Sequence, residues 1–86
     1  MKFQRTERFK RMYRQLGPEQ QKAVQKALRL LAENTRHPSL RVKRVQGTKE
    51  IWEASATIAL RITFQREKDL IVLRNCGEHD ETLKNP

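Results

Sequence analysis

The strongest pattern in the chain is an alternation of apolar and polar positions between Trp52 and Phe64. Trp52, Ala54, Ala56, Ile58, Leu60, Ile62 and Phe64 are all apolar and even-numbered. Glu53, Ser55, Thr57, Arg61, Thr63 and Gln65 between them are polar, with Ala59 the exception. A period of two belongs to a strand buried on one face. Over this length it predicts two strands joined by a turn near Thr57–Ala59. An antiparallel pair keeps its faces consistent, so Glu53 and Arg61 are expected on one open face.

The first half of the chain has the helical period instead. Phe9, Met12, Tyr13 and Leu16 fall at i, i+3, i+4 and i+7, one apolar face, with Thr6 placed to cap the helix. Gly17 is expected to end this helix, and Pro18 to open the next, which runs to about Asn34. Ala23, Val24, Ala27, Leu28, Leu30 and Leu31 form its buried stripe. Two helices joined by a Gly-Pro corner predict an antiparallel hairpin. Asn34–Ser39 reads as a loop fixed by Pro38.

The remaining segments read as strands. Met1 and Phe3 alternate with Lys2 and Gln4 as a short edge strand does. Leu40, Val42 and Val45 suggest a strand with Arg41, Lys43 and Arg44 projecting, ending at Gly47–Lys49. After a polar turn at Arg66–Asp69, Leu70–Leu73 is apolar on both faces, as a central strand is. The tail to Pro86 is polar. The fold class is therefore α+β: a short N-terminal strand, then a two-helix antiparallel hairpin packed on one face of a three- to four-stranded, mainly antiparallel sheet. The other face, carrying Glu53, Ser55 and Arg61, is left open as a natural place for a ligand.

Size and composition narrow the class. The 86 residues, 36% of them hydrophobic, suit one domain over 1–86 with a modest core. There is no apolar run near the roughly 18 residues that span a bilayer, and the start lacks a signal peptide's hydrophobic stretch. Cys76 is the only cysteine, so no internal disulfide forms. A cytoplasmic location follows as the expectation, with no membrane partner.

Charge adds a partner. Of the 19 Lys and Arg residues, 14 lie in residues 1–50 against four acidic residues, so that half carries +10 and the remainder −1. Positive charge concentrated this way is the footprint of a nucleic-acid binder. Lys10, Arg11, Arg14, Lys22, Lys26, Arg41, Lys43, Arg44 and Lys49 are the candidate docking residues. An acidic protein partner also satisfies the charge, as does simple solubility.

Three polar residues suggest chemistry. His79 stands past the last strand, after Gly77, and histidine moves protons near neutral pH. Glu53 is a candidate general base and Arg61 a candidate phosphate clamp. Each alone also fits an ordinary surface residue. Together they suffice for RNA cleavage, in which the RNA's own 2′-hydroxyl attacks the adjacent phosphorus. His37, His79 and one Cys are too few and too dispersed for a zinc site. There is no phosphate loop, nucleophile elbow or dinucleotide fingerprint. No metal or cofactor is expected.

In order and spacing, these segments resemble the RelE/ParE superfamily of bacterial toxin–antitoxin toxins. The resemblance runs through the basic helical hairpin with Phe9, Leu16 and Leu28, then His37-Pro38-Ser39-Leu40-Arg41-Val42-Lys43. It continues through Ile51-Trp52-Glu53-Ala54, Leu60-Arg61-Ile62-Thr63-Phe64 and Leu73-Arg74-Asn75-Cys76-Gly77-Glu78-His79-Asp80. It implies a compact strand–helix–helix–three-strand unit. RelE-like members are ribosome-dependent endoribonucleases that cut messenger RNA in the A site; ParE-like members inhibit DNA gyrase and lack the ribonuclease residues. A third option is a catalytically silent RNA- or ribosome-binding protein.

The RelE-like branch assigns charge stabilisation to Arg61 and general-acid catalysis to His79. It also implies an acidic or basic residue in the preceding strand, matched by Glu53, and for Asp80 either a role in orienting His79 or in proton transfer, or only a cap on the turn. Ser55 departs from the basic residue common there, and Leu83 replaces an aromatic that stacks on a base. The implied partners are the ribosome with its ribosomal RNA, messenger RNA, and a cognate antitoxin. The antitoxin is expected to lay an acidic or amphipathic segment on the helical hairpin and a sheet edge.

Overall fold

A computed structural model describes residues 2–86; the N-terminal alternation that includes Met1 falls partly outside them. Strand β1 (Lys2–Arg5) leads into helices α1 (Glu7–Arg14) and α2 (Pro18–Glu33), then a 3-10 turn at Pro38–Leu40. Strands β2 (Lys43–Arg44), β3 (Trp52–Ser55), β4 (Leu60–Glu67) and β5 (Leu70–Glu78) follow, and helix α3 (His79–Lys84) closes the chain. The five strands form one sheet in the order β1-β5-β4-β3-β2. β1 runs parallel to β5 after the chain crosses through both helices; the other pairs are antiparallel.

Local chemistry sets these boundaries. Thr6 Oγ1 accepts from Phe9 N at 3.1 Å, capping α1, and donates to Leu73 O at 2.8 Å, which ties the helix start to β5. Gly17 does not end α1 as expected. α1 closes at Gln15, and Gly17, in extended conformation, is the N-cap of α2. Its N–H donates to Gln20 Oε1 at 3.0 Å, one arm of a capping box.

The even-numbered face is the core face. Ala54, Leu60, Ile62 and Phe64 pack with Ile71, Leu73 and Cys76 against Phe9, Val24, Ala27, Leu28 and Leu31. Each large side chain so buried contributes about 1.5–3 kcal/mol. Ile58, at the tip of the β3–β4 turn, escapes at 89% exposure. Thr63 pairs with Asn75 and Phe64 with Leu73, so Arg74 is a bulge. The bulge reverses the parity of β5 and places odd-numbered Ile71 and Leu73 and even-numbered Cys76 in one core. Of the Leu70–Leu73 run, only Ile71 and Leu73 are fully buried; Leu70 and Val72 are half-buried.

Two expectations are corrected. The strand expected from Leu40 shrinks to Lys43–Arg44, because Pro38 opens a 3-10 turn and Arg41 (φ 48°) leaves it in the left-handed region. The polar tail is the helix α3, capped by the Glu78 side chain, which accepts from Glu81 N at 3.2 Å. α3 packs against β4 and β5 on the face expected to be open. There Thr63 Oγ1 and Arg74 Nε donate to Pro86 O at 2.9 and 3.1 Å, and Asn75 Nδ2 donates to Asn85 O at 3.0 Å. Thr63 and Asn75 on the strands and Thr82 on the helix are buried where the two meet. That face is closed at its middle and accessible only at its margins. Among the described residues, no helix is long and apolar enough to cross a membrane.

Candidate functional site

Glu53 pairs with Thr63 and Arg61 with Ser55, so β3 and β4 place Glu53 and Arg61 as diagonal neighbours on the same face. Arg61 Nε lies 3.4 Å from Glu53 Oε1, an ionic contact outside hydrogen-bond geometry. Arg61 Nη1 donates to Thr57 O and Ile58 O, both at 2.8 Å, which pins the guanidinium across the β3–β4 turn. The shared face is observed; its openness is not, since Glu53 is only 4% exposed.

His79 opens α3. Its backbone N donates to Ala59 O at 2.8 Å, fastening the helix start to the same turn. Its Nδ1 lies 2.9 Å from Asp80 Oδ1, and Nε2 makes no hydrogen bond within the described residues. Asp80 is therefore in position to orient the imidazole.

Glu53 and His79 line one open cleft of about 760 Å³ together with Lys43, Arg44 and Leu83. Lys43 is the register partner of Glu53. Arg61 stands behind Glu53 and faces a neighbouring cleft of about 470 Å³ with Arg41 and Ser55. The ion pair is thus the wall between the two. Leu83 offers an aliphatic surface in the first cleft.

The basic residues divide by layer. Lys43 and Arg44 belong to the cleft and Arg41 to its neighbour. Lys49 is exposed on the β2–β3 loop. Lys10, Arg11, Arg14, Lys22 and Lys26 lie on the helices, which cover the opposite face of the sheet. Lys10 pairs with Glu7 at 3.5 Å and Lys22 with Glu19 at 4.0 Å, both exposed contacts of little energetic weight. Five of the nine candidate docking residues are therefore remote from Glu53 and His79.

One group drew no attention in the sequence. Arg8 lines a pocket of about 410 Å³ with Asn75, Glu78 and Glu81, and its Nη2 is buried without a partner. Burial, then Arg74 and Arg11, lower its pKa. Nothing in a helical Arg–Phe–Lys–Arg run marks one guanidinium as buried. Cys76 is fully buried, and burial pushes its thiol up to about 12, leaving it a packing group.

No family model and no curated protein matches the sequence. Solved structures do match. The chain is similar to YafQ from E. coli strain BL21(DE3), with TM-score 0.79 and 12% identity over 93% of this chain and 94% of that one. It is similar to the YoeB/ParE toxin from Agrobacterium tumefaciens, with TM-score 0.74 and 13% identity over 92% and 99%. A RelB-RelE antitoxin–toxin complex from Methanococcus jannaschii matches with TM-score 0.70 and 13% identity over 96% and 99%. The fold is therefore that of the YafQ, YoeB and RelE toxins.

Proposed function

We propose that the chain is the toxin of a toxin–antitoxin pair and a ribosome-dependent endoribonuclease that cleaves messenger RNA. The shared fold supports the toxin reading. One observation carries the chemistry: Glu53 and His79, the latter contacted by Asp80, line a single cleft with Lys43 and Arg44, and Arg61 lies against Glu53.

In this mechanism Glu53 takes the proton of a 2′-hydroxyl as that oxygen attacks the adjacent phosphorus. Negative charge develops on the non-bridging oxygens, where Lys43 stabilises it directly and Arg61 adds its positive charge from behind Glu53. The bond to the 5′-oxygen breaks, and protonated His79 supplies its proton. The products are a 2′,3′-cyclic phosphate and a 5′-hydroxyl. Because the substrate provides its own nucleophile, the residues need only transfer protons and stabilise charge. Lys43, Arg44 and the helical basic surface hold ribosomal RNA, and an acidic or amphipathic antitoxin segment neutralises the helical surface.

A second reading, an RNA- or ribosome-binding protein without cleavage, is favoured by the engagement of Arg61 Nη1 with two carbonyls. Primer-extension mapping of message after induction separates the readings. Cuts on ribosome-bound message that disappear in His79→Ala support the nuclease. Intact message with arrested translation supports the silent binder. Intact message with an SOS response supports the gyrase inhibitor. Cleavage that continues at full rate in both His79→Ala and Arg61→Lys removes these side chains from the mechanism.

A further inference from the structure

We propose that the pocket around Trp52, on the helix side of the sheet, is a second nucleic-acid contact that takes a single-stranded phosphodiester. It rests on the nucleic-acid part of the reading above and not on cleavage.

Trp52 is the residue next to Glu53, so its side chain projects from the opposite face of β3. The guanidinium of Arg44, its register partner on β2, lies 5.0 Å from the ring centroid, and that of Arg66 on β4 lies 5.8 Å from it. The ring is thus flanked by cations from the strands on either side. Arg36, His37, Arg41, Trp52 and Arg66 line a pocket of about 340 Å³. No carboxylate lines it, and among the described residues Arg36, Arg41, Arg44 and Arg66 form no ion pair. Arg41 is held in the left-handed region (φ 48°), a conformation that costs energy in a non-glycine residue and gathers at ligand clamps.

Four guanidinium groups without carboxylate partners, around one half-buried indole, match the chemistry of a nucleotide. Guanidinium forks fit phosphate oxygens in pairs, and an indole offers a stacking surface for an unpaired base. Arg44 joins the two sides of the sheet, since it also lines the cleft of Glu53 and His79. It stands on β2, the short edge strand, where among the described residues no further strand blocks the way. A single strand crossing that edge would occupy both sites, one for binding and one for chemistry.

Trp52 is the only tryptophan in the chain, so its fluorescence reports this pocket alone. The probe is a short 2′-O-methyl oligouridylate, which cannot be cleaved because its nucleophile is blocked. Binding is followed by Trp52 emission and, in parallel, by anisotropy of the labelled oligonucleotide. Saturable quenching is expected, with a midpoint that weakens about tenfold in Arg36→Ala/Arg66→Ala. The slope of log affinity against log salt should fall by about 1.4, because each phosphate that the protein neutralises on a single strand accounts for about 0.7. Lys84→Ala, exposed on α3 across the sheet from Trp52, should leave the quenching amplitude unchanged.

No binding by anisotropy, binding without a change in Trp52 emission, or an unaltered salt slope in the double variant each overturns the proposal. So does equally tight quenching by a polyglutamate peptide, which would assign the pocket to an acidic protein. These results leave the cleavage test with His79→Ala standing, and a failure of that test leaves this one standing.

Discussion

The Glu53–Arg61 pair predicts an asymmetric double-mutant cycle. The two side chains are 6% and 13% exposed and approach to 3.4 Å. Losing one partner of a buried pair typically costs about 3–5 kcal/mol, because the other charge is stranded. Here the two are not equally stranded. Without the carboxylate, Arg61 still donates to Thr57 O and Ile58 O at 2.8 Å. Without the guanidinium, Glu53 has no other cation within ion-pair distance among the described residues; Lys43 stands opposite in register but does not reach it.

Glu53→Gln should therefore cost about 2 kcal/mol and Arg61→Gln about 3–4 kcal/mol. The double variant should cost little more than Arg61→Gln alone, a coupling of about 2 kcal/mol. For a chain of this length each kcal/mol lowers Tm by about 4–8 °C, so the larger effect is readily measured. Urea unfolding followed by circular dichroism gives all four free energies, and a common m-value shows that the denatured state is unchanged. Strict additivity, with coupling below about 0.5 kcal/mol, would refute the pair as an energetic unit. Arg61→Lys, which keeps charge but loses the fork, should fall between wild type and Arg61→Gln. Functional assays of Arg61 variants belong below their lowered Tm.

The remaining predictions address α3 and the core. His79→Ala should slow single-turnover cleavage by about 10²–10⁴-fold, and Asp80→Asn by less, because it removes only the partner of Nδ1. An unchanged rate in His79→Ala would exclude proton transfer by that residue. Gly77→Ala should destabilise the chain by about 1–3 kcal/mol in urea, since Gly77 has φ 152° and an added Cβ would lie 3.0 Å from Thr82 Oγ1. A neutral result would mean that the junction between β5 and α3 relaxes freely. Burial raises the Cys76 thiol from 9.0 to about 12, so its contribution is complete below pH 9.0 and is lost as pH rises towards 12. The loss should approach about 1.4 kcal/mol per pH unit in that window, and alkaline unfolding of Cys76→Ala should show a correspondingly shallower slope.

How legible the fold was depends on whether a local period carried it. The alternation from Trp52 to Phe64 located β3, β4 and their turn, because both strands keep one face on the core without interruption. The stripe through Val24, Ala27, Leu28 and Leu31 located α2 for the same reason. β5 resisted this treatment. Its bulge at Arg74 switches the parity of buried positions between Leu73 and Cys76, and such a register change depends on the partner strand. The 3-10 turn at Pro38–Leu40 likewise converts alternating Leu40, Val42 and Val45 into a mostly non-strand segment. α3 was hidden because, at six residues, it has no room for an apolar stripe. Its Glu78 cap and first-turn Asp80 and Glu81 were the available signals.

The missed helix changes the meaning of the site more than its membership. With an open sheet face, Glu53 and Arg61 would be solvent-exposed groups free to meet any ligand. With α3 and Pro86 over Thr63, Arg74 and Asn75, the same two residues become a buried pair at the margin of a covered surface. His79 is held where β5 passes into α3: its backbone N donates to Ala59 O, next to the last β4–β5 pair, and its ring meets Asp80 in the first turn of the helix. Sequence reasoning could nominate a base, an acid and a cation and set Glu53 beside Arg61 on paired strands, but the acid, His79, opens the helix it left as tail. Charge shows the same limit. The excess in residues 1–50 was plain, yet the sheet divides it between Lys43 and Arg44 at the cleft and Lys10, Arg11, Arg14, Lys22 and Lys26 on the far layer. A ligand that meets both groups must reach around the edge at β2, and Arg44, present on both sides of that edge, is the residue positioned to guide it.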